Sequence, residues 1–265
     1  MLFRYANPRV DLEYMVQSVF RAIQILTLLG SKPGLSVTEV SEHLKLPKSS
    51  THDLLSTLEA EHLLEREKDL NRYHLGIRLF ELGNLALGDF EIRRIASPFI
   101  RRLNDLLDET VHLTILEDDE VLYVDCLEST KRLRTYSVIG VRAPLHSTAV
   151  GKAILAVLPE PEIDRIIREK GLERSTVRTI VDPVELKKAL KAAAKRGYSI
   201  DDSEHEEGVR CVGAPLMNAT GNVVGSISAS GPEQRMKKED LPGIGKTVAD
   251  TALEISRRLG FRLSR

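Results

Sequence analysis

The order of secondary structure is decided by residues 36–76, which read SVTEVSEHLKLPKSSTHDLLSTLEAEHLLEREKDLNRYHLG. Ser36 is suited to capping a helix, because its side chain can accept from a first-turn amide. Pro47 follows a break in the helical pattern and stands where proline favours the start of a second helix. Two short extended runs, 63–67 and 72–75, then flank a polar turn. The stretch predicts helix, turn, helix and hairpin.

A further helix precedes this stretch, because apolar residues recur at helical spacing from about Met15 to Leu29. In the helix that begins near Pro47, one face carries the residues expected to pack inward: Thr51, Leu54, Leu55 and Leu58. Three helices followed by a hairpin form the winged helix-turn-helix pattern.

The opposite face of that third helix predicts a contact with the major groove of DNA. Small polar side chains near a helix N-terminus let a nucleic-acid backbone approach, and free amides there can bind phosphate. His52 and Asp53 are candidates for base edges, since an aspartate accepts from cytosine N4. The candidate DNA-binding residues, on this helix and on the hairpin, are Lys48, Ser49, Ser50, His52, Asp53, Ser56, Lys68 and Arg72.

The charge of this half of the chain leaves an alternative open. Residues 1–75 hold nine Lys or Arg against ten Asp or Glu, whereas DNA-binding domains usually carry a basic surface. A three-helix module that binds protein, or that joins two copies of the chain, has the same pattern. If DNA is the partner, a few placed groups and backbone N–H donors must supply the phosphate contacts.

The composition is that of a globular protein in a reducing compartment. The chain has 265 residues, 42% of them hydrophobic and 29% charged, with a net charge of -1. It has no apolar run long enough for a transmembrane helix and no signal-peptide pattern. Only two cysteines occur, which does not indicate a disulfide framework. We expect a cytoplasmic protein of one large or two ordinary domains without a membrane contact.

The rest of the chain predicts an α+β domain, because strands in groups alternate with helices. Two helices, about 77–87 and 92–107, lead into it. The predicted strands are 111–116, 121–127, 133–138, 198–200, 209–216 and 223–230, with a loop at 139–144. The predicted helices are 147–158, 161–170, 183–195 and 239–259.

A small-molecule site is indicated by the stretch Pro144 to Ala156, a loop that leads into a helix of small residues. With Ser147 as the N-cap, the amides of Ala149 and Val150 fall among the unpaired donors of the first turn. The helix dipole favours an anion there, so a small carboxylate is the natural ligand. An ordinary capped helix packed on a sheet is the alternative.

Further polar residues could complete such a pocket. Asp201 and His205 lie in an acidic loop, and Ser228 and Ser230 share one face of the last strand. Cys211 stands two positions after Val209, so both face the same side. Each residue also has an ordinary structural explanation, and only convergence on the helix near Ser147 would make them a site.

Catalytic and metal motifs are not recognisable. Neither Gly151-Lys152 nor Gly245-Lys246-Thr247 has the first glycine that a P-loop requires. His146, Asp201, His205 and Cys211 are metal-ligand types without zinc spacing, so metal binding is a minor alternative. We expect no cofactor and no enzymatic activity.

Several motifs in order resemble the IclR-type transcriptional regulators, from about Met15 to Gly260. In the first half they are Leu46-Pro47-Lys48-Ser49-Ser50, Leu54-Leu55, Thr57-Leu58-Glu59 and Tyr73-His74-Leu75-Gly76. In the second half they are Pro144 to Ala156, Arg196-Gly197-Tyr198, Asp201-Asp202-Ser203-Glu204, Gly208-Val209-Arg210-Cys211-Val212 and Ser228-Ala229-Ser230-Gly231-Pro232. In two places the chain departs from the family: Asp53 replaces a common arginine, and Ser50 a threonine.

The resemblance implies a winged helix-turn-helix, a linker helix and a C-terminal GAF-like antiparallel-sheet domain with flanking helices. The expected boundaries are a tail at 1–14, the DNA-binding domain at 15–75, the linker at 76–90 and the effector-binding domain at 91–265. It also implies a dimer, often paired into a tetramer, on palindromic operator DNA. Matching motifs carry effector-binding roles to Ala149, Val150, Asp201, Val209, Cys211, Ser228 and Ser230, and a less similar loop and strand carry them to Ala143 and Thr135.

The function expected from residues and resemblance together is a ligand-responsive transcriptional regulator. It would be a repressor whose affinity for double-stranded operator DNA is changed by a small organic acid. A ligand-sensing module that binds protein and not DNA is the alternative, and a small-molecule enzyme is the third class.

Overall fold

The computed structural model describes residues 15–67, 69–88, 91–135 and 139–262, and says nothing of the predicted tail at 1–14. The chain divides near residue 89 into two compact units. In the described ranges, no helix has both the length and the apolar character needed to cross a membrane.

The first unit contains three helices, a two-stranded antiparallel hairpin and a fourth helix. They are α1 (Gln17–Ser31), α2 (Val37–Leu44), α3 (Lys48–Ala60), β1 (Leu64–Glu67), β2 (Arg72–Leu75) and α4 (Ile77–Gly88). Their order is the winged helix-turn-helix order expected from residues 36–76. The core of the unit is formed by buried side chains from every element before α4: Ile25, Leu28, Leu29, Val40, Leu55, Leu58, Leu64 and Tyr73.

Local chemistry sets the turn between α2 and α3. Ser36 and Glu39 form a capping box, in which each side chain accepts from the other residue's amide. Lys45 ends α2 in the left-handed conformation with φ 54°. Pro47, as N-cap, then begins α3. Thr51 and Leu55 of α3 are fully buried, as the inward face requires.

The second unit is built on one antiparallel sheet of six strands in the order β5-β4-β3-β8-β7-β6. The strands are β3 (Thr110–Glu117), β4 (Glu120–Leu127), β5 (Arg142–Pro144), β6 (Ser199–Asp202), β7 (Val209–Met217) and β8 (Val223–Pro232). The helices are α5 (Glu91–Leu107), α6 (Ala149–Leu155), α7 (Glu160–Lys170), α8 (Pro183–Arg196) and α9 (Leu241–Arg258).

Each sheet face has its own cover, because successive residues of a strand point to opposite sides. Val111 and Leu113 of β3 pack with Ile227 of β8 against α5 and α9. His112 and Ser228, which alternate with them, point to the other face, where α6 lies. Gly213 allows this approach, because a Cβ there would lie 2.7 Å from the carbonyl carbon and oxygen of Ala149.

Three sequence predictions were wrong in this unit. Residues 133–135 form no strand, and the rest of the predicted strand, 136–138, lies outside the described residues. The predicted loop 139–144 contains β5, which pairs with Glu120–Leu122 of β4. Thr148, not Ser147, is the N-cap of α6, because the Thr148 hydroxyl accepts from the amide of Gly151 at 3.0 Å.

Candidate functional site

The outward face of α3 carries the residues predicted to contact DNA. Lys48, Ser49, His52 and Asp53 are exposed, and Ser50 and Ser56 are half-buried on the same helix. The His52 imidazole lies 3.8 Å from the Asp53 carboxylate, with both side chains largely exposed. The face offers hydroxyls, one imidazole and one carboxylate, with a single lysine at its start.

One of the two hairpin cations predicted to contact DNA is already paired within the first unit. Arg72 donates to the carbonyl of Gly34 and lies 3.4 Å from the Glu39 carboxylate. Its guanidinium therefore joins β2 to the start of α2. Lys68, the other predicted hairpin contact, lies outside the described residues.

The second unit has a cavity of about 250 Å³ between the sheet and the start of α6. All seven residues predicted to bind an effector line it: Ala149, Val150, Asp201, Val209, Cys211, Ser228 and Ser230. Thr135 and Ala143 line it too, as does His205. The structure thus brings together predicted residues that are up to 95 positions apart in the chain (Thr135 to Ser230).

Strand register explains this convergence. Asp201, Cys211 and Ser230 are opposite one another on β6, β7 and β8. The neighbouring row places Ser228 opposite His112 of β3. Cross-strand partners share a sheet face, so the two rows form a polar floor under the first turn of α6.

His112 is the neutral centre of that floor. Its Nδ1 lies 3.2 Å from Oγ of Ser228 and 3.3 Å from Oγ of Ser230. The Tyr123 ring meets it edge-on, with centroids 5.3 Å apart. Burial lowers the pKa of His112 to about 4, and it raises the pKa of Tyr123. Both side chains therefore act as uncharged hydrogen-bonding groups near neutral pH.

Asp201 is the acidic pole of the cavity. One carboxylate oxygen, Oδ1, accepts the amide of Glu204 at 2.7 Å and that of His205 at 3.4 Å. Burial nevertheless raises the pKa of Asp201 to about 7, against the opposing effects of the Glu204 amide and the Lys152 charge. Burial also raises the pKa of the neighbouring Cys211 thiol. The carboxyl group thus ionises at a far higher pH than an exposed aspartate.

The loop after β6 is held over the cavity by contacts to α6 and to the segment before α8. Lys152 and Glu204 form a buried ion pair with Nζ 2.5 Å from Oε1. The Ser147 hydroxyl lies 3.2 Å from Nδ1 of His205, so Ser147 anchors the loop and does not cap the helix. Thr179 adds a hydrogen bond to the carbonyl of Glu204 at 2.6 Å.

Comparison with protein families identifies both units. The family described as bacterial transcriptional regulator IclR C-terminal matches residues 84–257, and the IclR helix-turn-helix domain matches residues 18–68. The chain belongs to the IclR family. It is a DNA-binding transcriptional regulator with a helix-turn-helix and an effector-binding domain, and the family's members are regulators, not enzymes.

Individual IclR-family proteins are similar over nearly the whole chain. The HTH-type transcriptional repressor AllR of Escherichia coli K12 is 36% identical over 247 residues, 93% of this chain and 91% of AllR. The Thermotoga maritima IclR crystal structure is 33% identical with a TM-score of 0.79, covering 93% of this chain and 100% of that one. An IclR homologue from Microbacterium hydrocarbonoxydans, complexed with 4-hydroxybenzoate, shares the fold at 24% identity and TM-score 0.78, covering 91% and 98%.

Part of the cavity wall of this IclR-family chain was not predicted from its sequence. The unpredicted lining residues are His112, Tyr123, Val141, Arg142, Thr148 and Glu206. Alternation in β3 was a usable signal for His112, because a polar residue stands between the apolar Val111 and Leu113. No group of three or more His, Cys, Asp or Glu in the described ranges is arranged to hold a metal ion.

Proposed function

We propose that this regulator is a repressor whose operator affinity is changed by a small organic acid bound in the cavity of the second unit. The convergence of the seven predicted effector-binding residues on one cavity carries this proposal. The cavity offers hydroxyl, imidazole, thiol and carboxyl groups beside apolar walls, as small-ligand sites do. AllR is named a repressor, and the Microbacterium homologue holds an aromatic hydroxy acid.

Residues 15–75 are assigned to DNA reading, 76–90 to the link and 91–265 to effector binding. The outward α3 side chains Ser49, Ser50, His52, Asp53 and Ser56 lie in the major groove, with His52 and Asp53 at base edges. Lys48 of α3, with Lys68 and Arg72 of the hairpin, contacts phosphates. A ligand changes operator affinity by its differential affinity for two conformations. The change passes through α4, which joins the two units along the chain. The site of action is the cytoplasm.

A dimer fits the surface of the first unit. Apolar side chains at helical spacing on one face of α1 are exposed: Val16, Val19, Phe20 and Ile23. Exposed apolar side chains also occur on α4: Ile77, Phe80, Leu82 and Leu85. Contiguous apolar surface of this kind marks interaction sites. Two copies would set their α3 helices into successive major grooves, about 34 Å apart, and two dimers would form a tetramer.

The dimer proposal is tested by sedimentation of Ile23→Glu. We expect this variant to be monomeric and to bind a palindromic fragment more weakly than wild type, because the charge lies on the exposed α1 face. Val184→Glu is the control, since Val184 is exposed on α8 of the other unit. If the Ile23→Glu protein remains dimeric, this face of α1 does not form the dimer interface.

The effector proposal is tested by a thermal-shift screen of acetate, lactate, benzoate and 4-hydroxybenzoate, followed by a gel shift on the chain's own upstream DNA. The strongest stabiliser is expected to change the DNA affinity. Val209→Trp should fill the cavity from β7, abolishing both effects while DNA binding remains. Val184→Trp, on an exposed position, should keep both. If the acid still stabilises Val209→Trp and still changes its DNA affinity, the effector binds outside this cavity.

A further inference from the structure

The charges around the cavity raise a difficulty for an anionic effector. Arg142 lines the cavity, but its Nη1 donates to the carbonyl of Glu117 at 2.8 Å, and its guanidinium lies within 4 Å of Asp118 and Glu120. The nearby Lys152 is paired with Glu204 in a buried ion pair. Both cations thus already balance carboxylates of the protein.

Asp201 adds to this difficulty, because it is a carboxyl group of the cavity itself. It is 3% exposed and lines the cavity, so a carboxylate bound there would lie beside it. Both hydrogen bonds that it accepts go to Oδ1. Within the described ranges, Oδ2 accepts none, so that oxygen remains available to a ligand. Two ionised carboxylates in one low-dielectric site repel each other strongly, and such pairs retain a proton between them.

We propose that the cavity binds its carboxylate effector together with one proton, which Asp201 carries. This inference rests on the proposed function, because it requires the effector to be a carboxylate. The proton comes from solvent and forms a bond to Oδ2 of Asp201. The resulting O–H donates to a carboxylate oxygen of the effector, and Oδ1 keeps its two amide donors. Asp201 and the effector carboxylate together then carry one negative charge in place of two.

Other titratable and charged groups lie near Asp201 or line the same cavity. They are Lys152 of α6, Glu204, His205 and Glu206 of the loop, Cys211 of β7, Tyr123 of β4, His112 of β3 and Arg142 of β5. Burial keeps the pKa of Cys211 and of Tyr123 above the usual values, so both stay protonated with or without an anion. His205 and His112, whose pKa values burial lowers, are the neutral imidazoles that could gain a proton on anion binding.

Proton uptake is measured by isothermal titration calorimetry at about pH 8.5, in two buffers of different ionisation enthalpy that carry no carboxyl group. The probe is whichever of acetate, lactate, benzoate and 4-hydroxybenzoate gives the largest thermal shift. We expect uptake close to one proton per carboxylate. We also expect Kd to rise about tenfold per pH unit above the pKa of Asp201, as linkage requires.

Two variants identify the carrier. Asp201→Asn keeps an N–H donor at the Oδ2 position, so it should bind with little proton uptake and little pH dependence. His205→Gln should still take up about one proton. Infrared difference spectra provide a check that needs no variant. When the same probe is added to the wild type, they should show a new band from a protonated carboxyl group.

The outcomes are separable. Carboxylate binding by wild type without proton uptake, or undiminished uptake in Asp201→Asn, overturns the proton proposal and leaves the effector proposal standing. Failure of every carboxylate in the set to bind between about pH 5 and 9 overturns both, because an effector bound with a proton must then bind at the acidic end.

Discussion

His112 and Ser228 are opposite each other on neighbouring strands, with the imidazole Nδ1 3.2 Å from the serine Oγ. The contact lies on the sheet face covered by α6 and forms part of the cavity floor. Because the imidazole is buried and its pKa is lowered to about 4, it is neutral in the folded protein. The polarity that His112 and Ser228 give to the floor therefore comes from oriented dipoles, not from charge.

The first prediction concerns acid stability. The pKa of His112 is lower in the folded chain than its ordinary 6.5, so the unfolded chain binds a proton first as the pH falls. The stability associated with neutral His112 is present above pH 6.5 and is lost between 6.5 and about 4, on the order of 3 kcal/mol in total. His112→Gln should show a shallower loss in urea unfolding followed by circular dichroism. Parallel pH profiles for variant and wild type would contradict it.

The second prediction has the opposite sign. The pKa of Asp201 is raised to about 7 from 3.8, so the folded chain keeps this proton to a higher pH than the unfolded chain does. Folding is then penalised as the pH rises from about 4 to 7, by up to about 4 kcal/mol above that range. Asp201→Asn should unfold at higher urea than wild type at pH 8, with the gain shrinking towards pH 4. A variant that is less stable at pH 8 would show that ionised Asp201 stabilises the fold.

The third prediction concerns the buried pair of Lys152 and Glu204, whose side chains are 4% and 8% exposed. Removing one partner leaves the other as an uncompensated buried charge, which costs about 3–5 kcal/mol. Lys152→Met and Glu204→Gln should each destabilise strongly, and the double variant should be less destabilised than the sum of both. Additive losses in this cycle would mean that the two charges do not interact.

The fourth prediction concerns the acidic residue on the α3 face. Asp53 is exposed, and its charge opposes that of DNA phosphates. Asp53→Arg should raise the affinity for unrelated duplex DNA and steepen its salt dependence by about one phosphate contact. Asp105→Arg makes the same charge change on α5 of the other unit and should have little effect. Equal effects of the two variants would place DNA away from α3.

Local signals predicted the first unit almost completely. Ser36 as the N-cap of α2, the Leu46-Pro47 break and the hairpin runs all act within a few residues, and each appears where expected. What they could not show is the pairing of Arg72 with Glu39, 33 positions earlier. That contact depends on the packed fold, so a predicted phosphate contact proved to have an internal partner.

The second unit shows where local signals end. Ser147 and Thr148 are both good N-caps, and only the contact between Ser147 and His205, 58 positions away, distinguishes them. The three residues of β5 are a strand because β4 pairs with them. Alternation put Cys211 on the same side of its strand as Val209, and Ser230 on the same side as Ser228. The register between the strands was needed to bring Cys211 opposite Ser230.

The most direct test of ligand-controlled operator binding is a reciprocal affinity measurement. Fluorescence anisotropy gives the Kd of the chain for its upstream DNA with and without the strongest carboxylate of the thermal-shift set. Calorimetry gives the Kd of that carboxylate for the free and the DNA-bound protein. Linkage predicts that the ratio of the two Kd values for DNA equals the ratio of the two Kd values for the carboxylate. Both ratios should differ from one, by about 5–150-fold. A carboxylate that occupies the cavity and leaves both affinities unchanged would contradict the central claim.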